Sequence, residues 1–368
     1  MSRAAASGRT DQPTVTRYDA DLDTFARELA RWNEPRFRSD QLWTGLYPHH
    51  RALEDVTNVP KALRERLAAA FPLAFEVDAA LESADGRTAK WLWRASDGLQ
   101  VETVLMRYPN RATVCVSSQA GCAMGCTFCA TGQAGFDRHL TTGEIVEQVM
   151  RAAQASESRV SNVVFMGMGE PLANYDAVWN AVERLHGGLG ISARHITIST
   201  VGVVPGMRRL VTAPLPVTLA VSLHAPNDRL RETLVPLNRR YPLAEVLDAA
   251  AEVANSRGRR VTFEYACIAG VNDTDDLVAE LGTLLQDFPA PGGAHVNLIP
   301  LNPTGAFPGA ASNPTRLGRF RDRLARYGVA ATVRQNRGVD IDAACGQLRA
   351  RVGAPSRPRA GTTDPEPQ

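Results

Sequence analysis

Lysine is almost absent from this sequence, and several other features are missing as well. Only Lys61 and Lys90 are lysines among its 41 basic residues, so nearly all of the positive charge is carried by arginine. The formal net charge is +2, which excludes a strong polycation that binds polyanions over its whole surface. No run of eighteen or more apolar residues occurs, so no segment is expected to span a membrane.

A secretion signal is also missing from the beginning of the sequence. Residues 1–16 are polar and contain no apolar stretch of the signal-peptide kind, so residues 1–17 are predicted to form a disordered start. Residues 354–368 are rich in proline, arginine and threonine and are predicted to form a disordered tail. Without such a signal, the six cysteines are not expected to form a disulfide framework, and metal or redox chemistry is favoured.

One stretch has a local excess of positive charge. Seven arginines and a single acidic residue, Asp322, lie between Arg316 and Arg337. The planar guanidinium group suits phosphate, which makes this stretch a candidate for binding it. Solvated helix faces in an arginine-rich protein explain the same pattern equally well.

The first third of the sequence predicts two small regions. Three stretches have the apolar spacing of amphipathic helices, which predicts a helical accessory domain over residues 18–72. Alternating stretches follow, joined by Asp85-Gly86 and Asp97-Gly98, and Asp-Gly pairs favour tight hairpin turns. These stretches predict an antiparallel β meander over residues 73–111.

Residues 112–353 predict an α/β domain. Six segments with the pattern of β-strands alternate with segments that have the pattern of helices. Such a series predicts a parallel sheet, either in a doubly wound fold or in a barrel. In both folds, ligands bind beyond the carboxyl ends of the strands. The predicted strands are Thr113–Ser117, Asn162–Met166, His195–Thr200, Val217–Leu223, Val261–Ile268 and His295–Leu301.

Three cysteines lie close together after the first of these strands. Cys122, Cys126 and Cys129 have the spacing C-x3-C-x2-C. Three thiolates on one tight loop can bind three irons of a 4Fe–4S cluster and leave the fourth iron open to a small ligand. A closed zinc site is the alternative, but it usually takes four ligands in two C-x2-C pairs, and the sequence has no second pair.

This pattern resembles that of the radical S-adenosylmethionine (SAM) superfamily. The resemblance implies a partial (β/α)6 TIM-like barrel, with a 4Fe–4S cluster on Cys122, Cys126 and Cys129. It also implies that SAM binds the open iron through its amino and carboxylate groups. An electron from the cluster would then cleave SAM to a 5′-deoxyadenosyl radical, which removes a hydrogen atom from its target.

Polar residues that follow the predicted strands are candidates for binding SAM. Gly169 and Glu170 come after the second strand, in a Gly-Met-Gly-Glu-Pro segment that resembles the superfamily's motif for the amino group of SAM. Taken singly, such residues are more often helix caps or turn residues, and a structural hydrogen bond explains the histidine among them as well. The candidates at the ends of the third, fourth and sixth strands are Ser199, Ser222, Leu223, His224 and Asn302.

Two cysteines outside the triplet are candidates for chemistry. Cys345 lies beside a glycine beyond the last predicted strand, where a mobile loop and a reactive thiol are expected. Cys115 lies on the first strand. The alternative to a catalytic role is that it packs as a small buried hydrophobic residue, which is the commonest fate of a free cysteine. Cys267, within the fifth strand, is assigned to packing.

Glu102 is the remaining catalytic candidate. Strand alternation puts it on the same side as Val104 and Met106. If that side is buried, the pKa of the carboxyl group is raised and the group suits a general base. A side that faces solvent is equally compatible with the sequence.

Together these motifs resemble the bacterial dual-specificity RNA methyltransferases from about Phe37 to Arg351. The resemblance implies methylation of carbon-2 of a specific adenine in 23S rRNA and in tRNA. It also implies two SAM molecules per turnover, an electron donor, a thiol reductant, a cytoplasmic location and no membrane partner. The shared segments are Glu102-Thr-Val-Leu, Cys115, Gly-Met-Gly-Glu-Pro-Leu, Ser-Leu-His-Ala-Pro-Asn and Ala-Cys345-Gly-Gln-Leu.

The resemblance implies a role for each catalytic candidate. Cys345 accepts a methyl group from a first SAM, and a radical derived from a second SAM takes hydrogen from that methyl. The resulting methylene radical adds to the adenine ring, and Glu102 accepts the ring proton. Cys115 then attacks the sulfur of Cys345, forms a transient disulfide and frees the product. The helical domain and the Arg316–Arg337 stretch are expected to contact the RNA.

Three other functions are compatible with parts of the sequence. A sibling family methylates carbon-8 of the same adenine and confers antibiotic resistance, but Pro171 and the match of the N-terminal helices favour carbon-2. A zinc-stapled RNA-binding protein without catalysis would leave Cys345 and Glu102 unexplained. A radical SAM enzyme that acts on a small molecule would need neither the basic stretch nor a Cys115–Cys345 pair.

Overall fold

The computed structural model describes residues 15–348. Its strands are β1 (Phe75–Glu82), β2 (Thr88–Ala95), β3 (Gln100–Tyr108), β4 (Arg111–Cys115), β5 (Gln119–Gly121), β6 (Phe136–His139), β7 (Val160–Phe165), β8 (Ile196–Thr200), β9 (Thr218–Ser222), β10 (Val261–Cys267), β11 (Ala294–Pro300) and β12 (Ala330–Val333). Its α-helices are α1 (Leu22–Arg31), α2 (Phe37–Leu46), α3 (Lys61–Ala70), α4 (Ala130–Ala134), α5 (Thr142–Gln154), α6 (Tyr175–Gly187), α7 (Val204–Thr212), α8 (Asp228–Leu234), α9 (Leu243–Arg257), α10 (Asp275–Leu285) and α11 (Pro314–Ala325).

Ten of the strands form one mixed sheet in the order β1-β2-β3-β4-β7-β8-β9-β10-β11-β12. The first four strands are antiparallel neighbours, and from β4 onward each neighbour is parallel. Over the described residues β1 and β12 are the two edges, so the sheet is open. The predicted α/β class, with a partial barrel of parallel strands and an antiparallel extension, is confirmed.

Two small β elements differ from the prediction. The strand β12 adds a seventh parallel strand beside β11, but only Ala331 of its four residues is even half-buried, so its apolar signal is weak. The hairpin of β5 and β6 flanks the cysteine triplet, and β5 is only three residues long. The triplet therefore follows this hairpin strand rather than the parallel strand β4.

The N-terminal helices pack onto the same apolar core as the sheet. Phe25 and Leu29 of α1 and Leu42 and Leu46 of α2 are fully buried and continuous with the strands. Their spacing of four residues puts each pair on one helix face. The helical domain predicted over residues 18–72 is therefore attached to the sheet by burial of apolar surface.

Polar contacts fix these helices to α5. The Glu147 carboxylate accepts the backbone N–H groups of Ala74 and Phe75, at 2.7 and 3.2 Å. Asp19 accepts the N–H of Gly143 at 2.6 Å, and a Cβ atom at Gly143 would collide with the Asp19 backbone. Glycine is thus required where α5 begins against the N-terminal segment.

The predicted termini fall mostly outside the described residues. Residues 1–14 and the predicted tail, 354–368, are not described. Arg17 was predicted to belong to the disordered start, but it is 5% exposed and its backbone N–H bonds the carbonyl of Pro72. The ordered chain therefore begins before residue 18. None of the helices described for residues 15–348 is long and apolar enough to cross a membrane.

Candidate active site

A cavity lies at the carboxyl ends of the parallel strands. It brings together residues from loops that are far apart in the sequence, including Cys126, Cys129 and Cys345. Leu223 does not line this cavity, because its side chain is fully buried and its N–H bonds the Glu264 carbonyl at 2.9 Å. The predicted SAM-binding residues that line the cavity are Gly169, Glu170, Ser199, Ser222, His224 and Asn302.

The loop that carries the cysteine triplet is closely packed. The N–H of Cys122 bonds the Gly135 carbonyl at 2.6 Å, and Gly121 has a φ of 75°, which favours glycine. Cys126 is buried in a small apolar cluster with Leu234, and Phe128 packs against that cluster. The loop therefore keeps water away from at least one sulfur, which is a known influence on the potential of iron–sulfur clusters.

The chemistry of the three thiols fits a metal cluster. Burial raises the pKa of Cys122 to about 12 and raises that of Cys126 well above its usual value, and neighbouring thiols add to both shifts. Stable thiolates at such positions need a strong positive charge, which a metal centre supplies. Among residues 15–348 no three Cys, His, Asp or Glu side chains converge on a single ion. A cubane binds each thiolate at a separate iron, so the loop suits a cluster better than a zinc ion.

Glu170 connects two loops at the bottom of the cavity. One carboxylate oxygen accepts the N–H of Leu172 at 3.0 Å, and the other accepts the N–H of Val201 at 2.9 Å. Burial raises the pKa of this carboxyl to about 7, although the two backbone hydrogen bonds oppose the rise. A cationic or N–H-bearing ligand in the cavity would stabilise the ionised form.

His224 is held in a single neutral form. Its Nδ1 accepts the N–H of Ala266 at 3.0 Å, its carbonyl accepts the Asn272 amide, and its ring packs edge-on against Phe128. Burial lowers its pKa to about 3, with the nearby Arg231 charge as a second cause. Because Nδ1 accepts, the remaining proton lies on Nε2. Both interpretations of His224 therefore apply, because it is structurally hydrogen-bonded and also lines the cavity.

Asn302 holds the loop that carries Cys345. Its side-chain amide donates to the Cys345 carbonyl at 2.9 Å, and its oxygen accepts the Asn336 amide at 2.6 Å. The same loop is bound to α4, where the N–H of Ala130 bonds the Gly346 carbonyl at 2.8 Å. These bonds join the cysteine triplet, the end of β11 and Cys345 into one unit.

Cys115 and Cys345, the two catalytic candidates among the three cysteines outside the triplet, are close enough for Cys345 to influence the ionisation of Cys115. Burial raises the pKa of Cys115 to about 12, and Cys345 adds to that rise. The Cys345 side chain is exposed to solvent, yet the surrounding protein raises the pKa of its thiol, while the Arg334 guanidinium opposes the rise. Both thiols are free. Cys115 lies at the end of β4, outside the cavity wall, whereas Cys267 is fully buried.

Glu102 lies on a buried face of the sheet extension and does not line the cavity. It is 3% exposed and forms an ion pair with Lys90 Nζ at 3.4 Å. Lys90 also donates to the Asp342 carbonyl at 3.2 Å, three residues before Cys345. Of the two alternatives for this face, burial is the one observed, and Lys90 connects Glu102 with the Cys345 loop.

Several residues of the site were not identified from the sequence. Arg231 is fully buried and donates to the carbonyls of Leu223, Val201 and Ser222. Arg334 lines the cavity beside Cys345. A buried arginine has no sequence signature here, because arginine supplies nearly all the positive charge of the chain.

The arginines between Arg316 and Arg337 do not form one basic face. Arg316 and Arg323 of α11 both pair with Asp275, and Arg321 pairs with Asp322. Arg334 faces the cavity instead. Carboxylates of the protein therefore pair with three arginines of α11, whereas Arg319 on the same helix has no ion pair within residues 15–348. Contact of this stretch with RNA stays a prediction.

Comparisons with known proteins agree with this arrangement. The model of the Radical SAM superfamily matches residues 116–281. The chain is 51% identical to the probable dual-specificity RNA methyltransferase RlmN of Parafrankia sp. (strain EAN1pec), and the match covers 96% of each chain. It is 48% identical to the dual-specificity RNA methyltransferase RlmN 1 of Myxococcus xanthus, over 92% of this chain and 96% of the relative.

A solved structure resembles the whole fold. The crystal structure of a radical SAM methyltransferase from Sphaerobacter thermophilus superposes with a TM-score of 0.87 at 48% identity. The superposition covers 92% of this chain and 100% of the other. The identity over nearly full length, the shared fold and the cavity with its three cysteines all agree, and the chain belongs to the dual-specificity RNA methyltransferase family of radical SAM enzymes.

Proposed function

We propose that this protein methylates carbon-2 of a specific adenine in 23S rRNA and in tRNA, with Cys345 as the carrier of the methyl group. The observation that carries the proposal is the position of Cys345. Its free thiol lies in the wall of the same cavity as Cys126, Cys129 and Glu170. A thiol beside a SAM-binding cavity is a suitable acceptor for a methyl group.

The residues that would hold the cofactors are those of the cavity and its cysteine loop. Cys122, Cys126 and Cys129 would bind a 4Fe–4S cluster, and two SAM molecules would be used in each turnover. When bound, the cluster and SAM supply a 5′-deoxyadenosyl radical that can remove hydrogen from the methyl group on Cys345. The residues proposed to hold SAM are Gly169, Glu170, Ser199, Ser222, His224 and Asn302. Leu223 is left out of this set, because its side chain is buried and its backbone N–H and carbonyl bond Glu264 and Arg231.

Arg334 supports methyl transfer to Cys345. Only the thiolate form of cysteine is a strong nucleophile, and the Arg334 guanidinium favours that form. In accepting the methyl group, the thiolate becomes a neutral thioether, and SAM leaves as S-adenosylhomocysteine. Asn302 fixes the backbone of Cys345 through its carbonyl, so that the thioether stays within the cavity.

Glu102 and Cys115 complete the reaction in this proposal. Glu102 takes the proton that the adenine ring loses, with Lys90 balancing its charge. The radical adduct must also give up one electron, which a bound cluster would take up. The Cys115 thiolate then attacks the sulfur of Cys345, so that a disulfide forms. The electron pair of the broken carbon–sulfur bond stays on the product carbon, which takes up a proton to become the methyl group. An external dithiol then returns two electrons and two protons to restore both thiols. This requirement for a reductant suits the cytoplasm, and a separate donor would supply the electron for the cluster.

Nucleoside mass spectrometry tests the proposed function. Anaerobically reconstituted protein would be incubated with SAM, a reductant and unmodified 23S rRNA or tRNA, beside a Cys345→Ala control. We expect 2-methyladenosine from the native protein and none from the control. 8-Methyladenosine would assign the chain to the reaction of the sibling family. An intact brown cluster without any methylated adenosine would contradict the proposed substrate.

A further inference from the structure

A second cavity adjoins the active site and has no role in the reaction as described so far. It shares Arg334 and Cys345 with the first cavity. The thiol proposed to carry the methyl group therefore lies at the boundary of two spaces. A carrier in this position could receive a group from one space and deliver it to the other.

Two arginines flank Tyr108, which lines this second cavity. Arg337 lines the cavity as well, whereas Arg111 is exposed and lies outside its lining. The Arg337 guanidinium lies 4.4 Å from the centre of the Tyr108 ring, and that of Arg111 lies 4.5 Å from it. Tyr108 and Arg111 pair across the turn between β3 and β4, whereas Arg337 comes from the segment before the Cys345 loop. Cation–π contact holds both guanidinium groups in place beside the ring.

Neither of these two arginines forms an ion pair with a carboxylate in the described part of the chain. Over residues 15–348, no acidic side chain lies within ion-pair distance of Arg111 or Arg337, whereas Arg107 pairs with Glu82. The exposed Asp85 is the nearby acid; a hydrogen bond from a neighbouring serine is the main cause that lowers the pKa of its carboxyl group, and Arg337 contributes to that lowering. The polar contact of Arg337 is with the Arg107 carbonyl, at 3.4 Å. Two guanidinium groups that are held against one ring and have no ion-paired carboxylate suit phosphate groups.

The remaining walls of the cavity suit a nucleobase. Apolar surface is provided by Met106, Ala343 and Ala344. The Gln335 side chain provides an amide donor and an acceptor. The Asn336 amide group already donates to Asn302 and Pro300, so this side chain offers only its oxygen as an acceptor. Such walls can cover the faces of a flat ring and bind its polar edges. A base that leaves its stack to react needs a pocket of this kind next to the reactive atom.

We propose that the second cavity receives the target nucleotide, and that Arg111 and Arg337, held beside Tyr108, bind the RNA phosphates next to the adenine. This inference rests on the proposed function and adds the residues that grip the substrate. RNA enters on the Arg337 side of Cys345, and SAM binds on the side of Glu170. The Cys345 thiol therefore passes its methyl group from the SAM cavity to the nucleotide cavity.

The test is a binding measurement that does not depend on turnover. The reconstituted protein would be titrated into fluorescein-labelled unmodified tRNA, and anisotropy would be recorded at several salt concentrations. We expect Arg337→Ala and Arg111→Ala each to weaken binding about tenfold and to reduce the salt slope by about 1. Tyr108→Phe, which keeps the ring, should retain more affinity than Tyr108→Ala.

Arg319→Ala is the matched control, because it removes the same charge from an exposed position on α11 that lines neither cavity. Binding by Arg337→Ala with the affinity and salt slope of the native protein would overturn the inference. An equal loss in Arg319→Ala would also overturn it, because the attraction would then be diffuse. If Arg337→Ala does not fold, Arg337→Gln serves as the second variant.

Binding and methylation by the native protein distinguish a wrong inference about the second cavity from a wrong proposed function. If the native protein neither binds nor methylates tRNA or 23S rRNA, the proposed function is contradicted. If it methylates RNA while Arg337→Ala and Arg111→Ala bind normally, only the inference about the second cavity is wrong.

Discussion

Glu170 is a titratable group in the cavity proposed to bind SAM. Its carboxyl has a pKa of about 7 because it is buried, so it is mostly protonated at pH 6 and mostly ionised at pH 8. The amino group of SAM donates better to the ionised carboxylate, so binding at low pH must first release a proton. The affinity for SAM should therefore rise with pH through about 7.

This dependence predicts a difference between the native protein and Glu170→Gln. We expect native SAM binding to be about tenfold weaker at pH 6 than at pH 8, as follows for one proton with a pKa of 7. The glutamine variant should bind less tightly and lose that part of the pH dependence. Anaerobic calorimetry at both pH values measures the affinity of each protein for SAM. If the affinities of the two proteins change with pH in parallel, Glu170 does not govern the pH dependence of binding.

Lys90 and Glu102 form a buried pair whose two members depend on each other. Their side chains are 9% and 4% exposed, and the Lys90 ammonium also binds the Asp342 carbonyl. Removal of one member leaves a charge buried without its partner, which costs more than a surface pair contributes. The pair is therefore expected to stabilise the attachment of the Cys345 loop to the sheet extension.

Lys90→Met tests this attachment. We expect the free energy of unfolding to fall by about 3 kcal/mol, because the Glu102 charge loses its buried counterion. Lys90→Arg keeps a positive charge and should be destabilised less. Urea unfolding of both variants gives the comparison, and a native-like midpoint for Lys90→Met would mean that the pair contributes little.

At the scale of elements, Arg231 joins the loops beneath the cavity. From α8 it reaches the strand ends of β8 and β9 and also bonds the Asn238 side chain at 2.9 Å. Burial lowers its pKa to about 10, which leaves it charged at neutral pH. The positions of Ser222 and His224 depend on loops that this one guanidinium group holds together.

Arg231→Met should therefore be strongly destabilising. Several buried carbonyl oxygens would lose their donor at once, and we expect a loss of at least about 3 kcal/mol. Arg231→Lys keeps the charge but lacks the forked donors, so it should recover only part of the loss. Thermal unfolding measures the stability of both variants. If the lysine variant were as stable as the native protein, the forked donors of the guanidinium group would not be needed.

The parallel strands and several polar residues at their ends could be predicted because both signals are local. Strands such as β8 and β9 are short apolar runs between turn residues, and the carboxyl-end rule then places Ser199 and Ser222 near each other. The strand β12 escaped prediction because it is a largely exposed edge. Leu223 was expected among the SAM-binding side chains but is buried, since local pattern does not fix which side of a strand end faces the cavity.

Burial of charged residues could not be predicted, because it depends on tertiary contacts. The sequence is equally compatible with Glu102 on a solvent-exposed face and on a buried face of the sheet, and only the contact with Lys90 shows that the face is buried. Arg334 and Arg337 looked like members of one basic stretch, yet one faces Cys345 and the other contacts Tyr108. A sequence with 41 basic residues and two lysines gives little contrast between structural and functional arginines.

At the scale of the whole molecule, the account depends on Cys345 as the methyl carrier between two cavities. Its most direct test is the origin of the methyl group in a single turnover. The protein would be incubated with unlabelled SAM to methylate Cys345, freed of small molecules, and then mixed with excess RNA and SAM that carries a trideuterated methyl group. We predict that the first product carries the unlabelled methyl group and that label enters only in later turnovers. A trideuterated methyl group in the first product would contradict the account.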